Sequence, residues 1–303
     1  QPSTPAAVRA GNVPERASEQ IAALPPVGSA PVVAPSPATN PRREDLIAAC
    51  DRLAGRLGDA DLPADMSGVN FNKIDVKAAI PACQAAVEAL RAEQGWVAER
   101  RLYFQLGRAL DADNQYIKAK TQYEQSVALG SAAGMSSVGN LYKNGKGVMQ
   151  DYKAAHGWYE KAAEKGELTA MTNLGIMHEN GEGVPVNPGA ALRWYEKAAE
   201  RGLPIAMTYL GNLYEHGRGV AEDYAAARLW YEKAADKGLP TAMTKLGKLY
   251  ENGRGVAENH AVARRWYEKA KAAGDMDAAS YLAELTAAER RSSGAAKKSR
   301  PRR

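Results

Sequence analysis

Phenylalanine is nearly missing from this chain of 303 residues, where 2 Phe stand against 14 Tyr and 5 Trp. That bias points to one patterned unit used repeatedly. Cysteine is as scarce, with Cys50 and Cys83 alone. No apolar run approaches the roughly 20 residues a membrane-spanning helix needs. The most apolar stretch near the start, IAALPPVGSAPVVAP, is cut by prolines and lacks the basic leader of a signal peptide. Gln1 stands where an initiator Met would, so export stays open as a reading.

Positive charge is scarce too, once the tail is set aside. Residues 290–303 (RRSSGAAKKSRPRR) hold seven of the 40 basic side chains and no acidic one. The other 289 residues carry 33 basic and 35 acidic side chains, a net of −2. The body of the chain therefore has no overall charge reason to bind nucleic acid. The tail has two readings, a solubilising end and a contact for nucleic acid or anionic membrane.

What is present is period. Trp158, Trp194, Trp230 and Trp266 are spaced 36 apart, each followed by Tyr-Glu-Lys-Ala. Gly139, Gly175, Gly211 and Gly247 keep the same spacing, as do the pairs Gly145/Gly147, Gly181/Gly183, Gly217/Gly219 and Gly253/Gly255. Each copy reads as two helices. In the third, Pro204 suits a first helical turn, Met207, Leu210, Gly211 and Tyr214 follow helical spacing, and the Gly-x-Gly pair stops the helix. Asp223 and its counterparts Asp151, Asn187 and Asn259 are N-cap residues for the second helix. Small Gly211, Ala227 and Ala234 let the two backbones approach, and Trp230, Tyr231, Leu210 and Met207 are expected to fill the volume around them. One hairpin leaves an apolar flank bare and must stack on its neighbours.

The pattern A-M-x-x-L-G-x-L-Y-x-x-G-x-G-V…A-x-x-W-Y-E-K-A-A-x-x-G resembles the Sel-one-like repeat family, relatives of the tetratricopeptide repeat, over residues 132–275. The resemblance implies an all-α fold, a right-handed α-solenoid of helix-turn-helix repeats. Residues 96–131 resemble a tetratricopeptide repeat proper through Tyr103, Leu106, Gly107, Leu110, Tyr116, Ala119 and Tyr123. Upstream, 43–95 reads as a helical pair and 1–42, with nine of the 16 prolines, as a disordered leader. Downstream, 276–289 reads as a capping helix and 290–303 as a disordered basic tail.

Chemistry is thin. The Gly-x-Gly pairs follow helices rather than strands, which marks turns and not phosphate loops. His156, His178, His216 and His260 share no repeat position, and no Cys or second His lies at ligand spacing. No catalytic set, metal or cofactor is expected. Cys50 and Cys83 fall one in each helix of the first pair; a disulfide in an exported protein and two buried thiols are the competing readings. Some secreted relatives carry a cysteine pair in every repeat and are associated with binding or hydrolysing β-lactams. No cysteine lies within 132–275 here, so that property does not transfer.

Function is then expected where residues vary inside the repeating frame. The resemblance implies that the first helices line the concave face and bind a peptide or protein partner. The varying slots there hold Ser137 and Asn140, Asn173 and Ile176, Tyr209 and Asn212, Lys245 and Lys248. Asn140, Asn173, Tyr209, Asn212, Lys245 and Lys248 are the candidate binding residues, since amides can pair with a peptide backbone and ammonium groups with a carboxylate. Ordinary solvated positions are the competing reading.

Overall fold

The computed structural model describes residues 41–55, 71–91 and 96–298; nearly all of the proline-rich leader, and residues 299–303 of the tail, lie outside them. The described residues form α-helices and one 3-10 turn at Phe71–Lys73, without a strand. Two pairs come first: α1 (Pro41–Ala54) with α2 (Val76–Arg91), and α3 (Trp96–Ala112) with α4 (Tyr116–Ala128). Four pairs of equal length follow. These are α5 (Ala132–Asn144) with α6 (Tyr152–Glu164), α7 (Leu168–Asn180) with α8 (Pro188–Glu200), α9 (Pro204–His216) with α10 (Tyr224–Asp236), and α11 (Pro240–Asn252) with α12 (His260–Ala272). A long α13 (Ala278–Lys298) closes the chain. Each helix packs chiefly on those before and after it, the nearest-neighbour pattern of an α-solenoid.

Local chemistry sets the boundaries. The side chains of Asp151, Asn187, Asp223 and Asn259 accept from the backbone N–H three residues on, at 2.9–3.0 Å. Gly145, Gly181, Gly217 and Gly253 end the first helices with φ of 63–75°, a left-handed turn that costs glycine nothing. The second glycine of each pair has a different task. Gly147, Gly183, Gly219 and Gly255 press on the first residue of the preceding second helix, Tyr116, Tyr152, Pro188 or Tyr224. A Cβ there would come within 2.6–2.9 Å of that residue. These turns thus lock one repeat to the one before.

The core corrects the expectation for tryptophan. Tyr123, Tyr159, Tyr195, Tyr231 and Tyr267 are fully buried, each with the Cδ1–Cε1 side of its ring against a glycine of the first helix. A Cβ on Gly211 would stand 2.5 Å from the Tyr231 ring, and on Gly175 or Gly247 2.4 Å from Tyr195 or Tyr267. Tyrosine, not tryptophan, is the clasp inside the hairpin. Trp158, Trp194, Trp230 and Trp266 are only partly buried at the edge of the core. Their faces are covered by Lys161, Lys197, Lys233 and Lys269, 3.9–4.9 Å from the ring centroids.

The N-terminal pairs are built otherwise. Cys50 and Cys83 are joined by a disulfide between α1 and α2, both residues fully buried. Beside it, buried Asp51 pairs with Arg101 at 3.0 Å, and Arg108 donates to the carbonyl of Ala54 at 2.6 Å. At the other end, the helix expected to stop at residue 289 runs on to Lys298. Glu289 and Arg291 stand where the 36-residue register would place the two turn glycines, so nothing stops it.

Candidate binding face of the first helices

All six candidate residues sit half-buried on first helices, and each is already held by a neighbour. Asn173 Nδ2 donates to Asn140 Oδ1 at 3.3 Å, and the Tyr159 hydroxyl donates to the same oxygen at 2.6 Å. Tyr209 stacks on Tyr195, with centroids 5.1 Å apart and planes 11° from parallel. The Tyr231 hydroxyl reaches Asn212 Oδ1 at 2.8 Å and Glu215 Oε2 at 2.6 Å. Lys245 Nζ lies 3.6 Å from Glu215 Oε2. Lys248 donates to the Tyr281 hydroxyl at 2.8 Å and sits 4.0 Å from its ring centroid. These side chains do not wave in solvent. They are oriented by their neighbours.

Under them runs a ladder of charges that sequence reasoning missed. The residue four past Gly107, Gly139, Gly175 and Gly211 pairs with a turn residue of the next repeat. The rungs are Asp111–Lys146 at 3.9 Å, Lys143–Glu182 at 2.9 Å, Glu179–Arg218 at 2.8 Å and Glu215–Arg254 at 4.0 Å. The acids also receive the clasp hydroxyls, Tyr195 on Glu179 at 3.1 Å and Tyr267 on Glu251 at 2.5 Å. Burial first, and these carboxylates next, hold the phenols of Tyr195, Tyr231 and Tyr267 far above their ordinary range. Burial does the same to Tyr159, helped by the charge of Glu182. A usable signal existed, because Glu179, Glu215 and Glu251 recur at the 36-residue spacing.

The histidines hold a second surprise. Residues that share no repeat position meet in space: His156 and His178 lie edge to face, 5.5 Å apart. Burial, then His156 and Arg193, push the His178 pKa down, while Glu160 opposes. Among the described residues no cluster of three His, Cys, Asp or Glu side chains is placed to hold a metal ion. None of the described helices is long and apolar enough to cross a membrane.

Stacked hairpins clasped by tyrosine over glycine, with an oriented polar seam on one set of helices, define a helical repeat protein of the α-solenoid class. The Sel1 repeat model matches four times in tandem, at residues 132–167, 168–203, 204–239 and 240–275. A Sel1 repeat protein from Oxalobacter formigenes is 34% identical, over 59% of this chain and 73% of its own, with a TM-score of 0.56. The chain belongs to the Sel1 repeat family. A protective antigen of uropathogenic Escherichia coli with an SLR fold is 27% identical over 71% of this chain, at a TM-score of 0.51; the chain spans 50% of that protein. An immunity protein of Pseudomonas aeruginosa, 17% identical with a TM-score of 0.50, covers 79% of this chain and 84% of its own, and shares the fold alone. Comparison with curated proteins gives no match. Sel1 repeat proteins generally act as non-catalytic scaffolds for protein–protein interaction.

Proposed function

We propose that this protein is an adaptor that holds a peptide or protein partner along the face of its first helices. The observation that supports the reading is the seam itself. Asn140, Asn173, Tyr209, Asn212, Lys245 and Lys248 differ from repeat to repeat, yet each is pinned by a tyrosine, an acid or another amide. A side chain oriented in advance loses less entropy on binding, which is what a recognition surface needs. The Cys50–Cys83 bridge supports an oxidising compartment, and we place the protein in a bacterial cell envelope on that ground.

A peptide selected from a random display library on the full chain serves as the probe. Replacing Asn212 and Lys245 together by Ala is expected to weaken its binding about tenfold or more, at roughly 1–2 kcal/mol for each lost hydrogen bond. Circular dichroism should still report a folded helical protein. Undiminished binding to the double variant, lost instead on deleting residues 290–303, would place recognition on the tail and sink the reading. The compartment is tested by trapping thiols in protein isolated from its source, where two free thiols would remove the argument for export.

A further inference from the structure

Two histidines meet at one junction of the stack, between the repeats 132–167 and 168–203. His156 lies on α6 and His178 on α7, their rings edge to face with centroids 5.5 Å apart. The register puts other pairs at the next two junctions, Leu192 with Tyr214 and Arg228 with Tyr250. Neither of those pairs changes charge between about pH 7 and about pH 5, where an imidazole does. Of the three junctions, this one alone carries a titrating pair at that place.

The surroundings suit neutral rings. His156 Nδ1 faces a Glu160 carboxylate oxygen at 3.4 Å, which makes Nδ1 the favoured place for the ring's first proton. A second proton must then go to Nε2. His156 Nε2 and His178 Nδ1 are both buried, and neither has a hydrogen-bond partner among the described residues. A neutral imidazole leaves such a nitrogen as an idle acceptor. An imidazolium has to bury an N–H that nothing accepts, which costs more. The charges nearby divide. Arg193 of α8 and His156 of α6 oppose a proton on His178, and Glu160 of α6 favours one. Glu179, beside it on α7, is taken by the Tyr195 hydroxyl and Arg218, and Lys143 of α5 is taken by Glu182.

The same junction is spanned by the Asn140–Asn173 hydrogen bond at 3.3 Å and by the Lys143–Glu182 rung at 2.9 Å. We infer that the His156–His178 contact is an acid-operated joint, which on protonation loosens α6 from α7 and with them the Asn140–Asn173 link. Burial, His156 and Arg193 hold His178 below the ordinary imidazole value near 6.5 while the joint is closed, and opening returns it there. The contact is therefore whole above about pH 6.5 and weakens as pH falls through the lowered value. A proton taken up by the open form alone makes opening up to about tenfold more frequent per pH unit. A partner lying across Asn140 and Asn173 would lose its footing in acid. That consequence rests on the adaptor reading; the joint itself does not.

Hydrogen exchange of the full chain at about pH 7.5 and about pH 5.5, corrected for the intrinsic rates, reads the joint without any partner. Protection in α6 and α7 is expected to fall up to about tenfold at the lower pH, relative to α9–α11. His178→Tyr installs the residue that the register holds at Tyr142, Tyr214 and Tyr250 and should abolish the difference. His178→Gln should do the same, and covers the case of a tyrosine that does not fit. In an NMR titration the His178 ring should protonate below the ordinary value, and His156→Leu should raise its midpoint. A purely structural role predicts variants that lose protection equally at both pH values. That result, an acid loss spread evenly along the stack, or a His178 midpoint at or above about 6.5 would each overturn the proposal.

Discussion

From α5 to α12 the hairpins hold together by a device repeated without change, a tyrosine ring set against a glycine and a turn pressed onto the hairpin before. Among the described residues of α1 and α2 neither device appears. There the packing relies on a disulfide, a buried Asp51–Arg101 pair and an arginine reaching a helix-end carbonyl. The contrast follows from position. An inner repeat has neighbours on both flanks, and apolar burial on two sides suffices. Among the described residues the first pair packs only on the hairpin that follows, and it gains from a covalent link that removes entropy from the unfolded chain. Periodicity is therefore a property of the middle, and exceptions collect at the ends.

Alkali should separate the two regions most. Four of the buried phenols lie in the repeats and are held protonated far above the ordinary tyrosine pKa near 10. The folded chain keeps these protons while the unfolded chain sheds them, so the stability is whole below about pH 10 and falls above it. The slope is up to about 1.4 kcal/mol per pH unit for each tyrosine, or about 5.5 for the four. Tyrosinate absorbance and helix content should change together above that pH. Tyrosines that ionise early without loss of helix would show the clasp to be looser than described.

Next comes the clasp against its neighbour. Tyr231→Ala is expected to cost about 3–5 kcal/mol, the range for a fully buried aromatic, and Trp230→Ala about half of that because its ring is partly exposed under Lys233. Urea unfolding of both variants gives the ratio. A larger loss at Trp230 would return the core role to tryptophan.

Comparable in size, but confined to one end, is the staple. Replacing Cys50 and Cys83 by Ala opens a link across 33 positions, for which loop entropy gives about 3–4 kcal/mol. Hydrogen exchange should quicken in α1–α3 and stay unchanged from α7 onward, since contacts in the stack run between neighbours. A loss of protection throughout would mean that the two regions fold as one.

Much of this was readable from spacing. The 36-residue register set the helices, the caps and the turns, because each depends on residues close in sequence: Asp223 and the amide it caps, Gly217 and the helix it ends. The binding candidates were legible as positions and not as contacts. That Asn140 and Asn212 both stand 19 residues before the tyrosine they meet was a signal in plain view, but choosing Tyr over Trp as the buried ring needed the angle at which the second helix crosses the first. The meeting of His156 with His178 carried no periodic mark. The run of α13 past residue 289 was hidden for a different reason: a charged, glycine-containing tail looks unable to fold, and only the absence of the two turn glycines said otherwise.

The rung between Lys143 and Glu182 has its signs reversed relative to the three others. Every other junction puts the acid on the earlier repeat and the base on the later turn. Hairpins of equal length and equal clasp would otherwise be exchangeable parts. Move the second repeat next to the fourth, and Glu179 still faces Arg254 but the turn bearing Glu182 is gone from above Lys143; duplicate it, and Glu179 meets the Glu182 of its own copy. The reversed rung works as a key cut into one tooth. It penalises loss, displacement or doubling of the second repeat, and so fixes the order at that junction while the third and fourth repeats stay interchangeable.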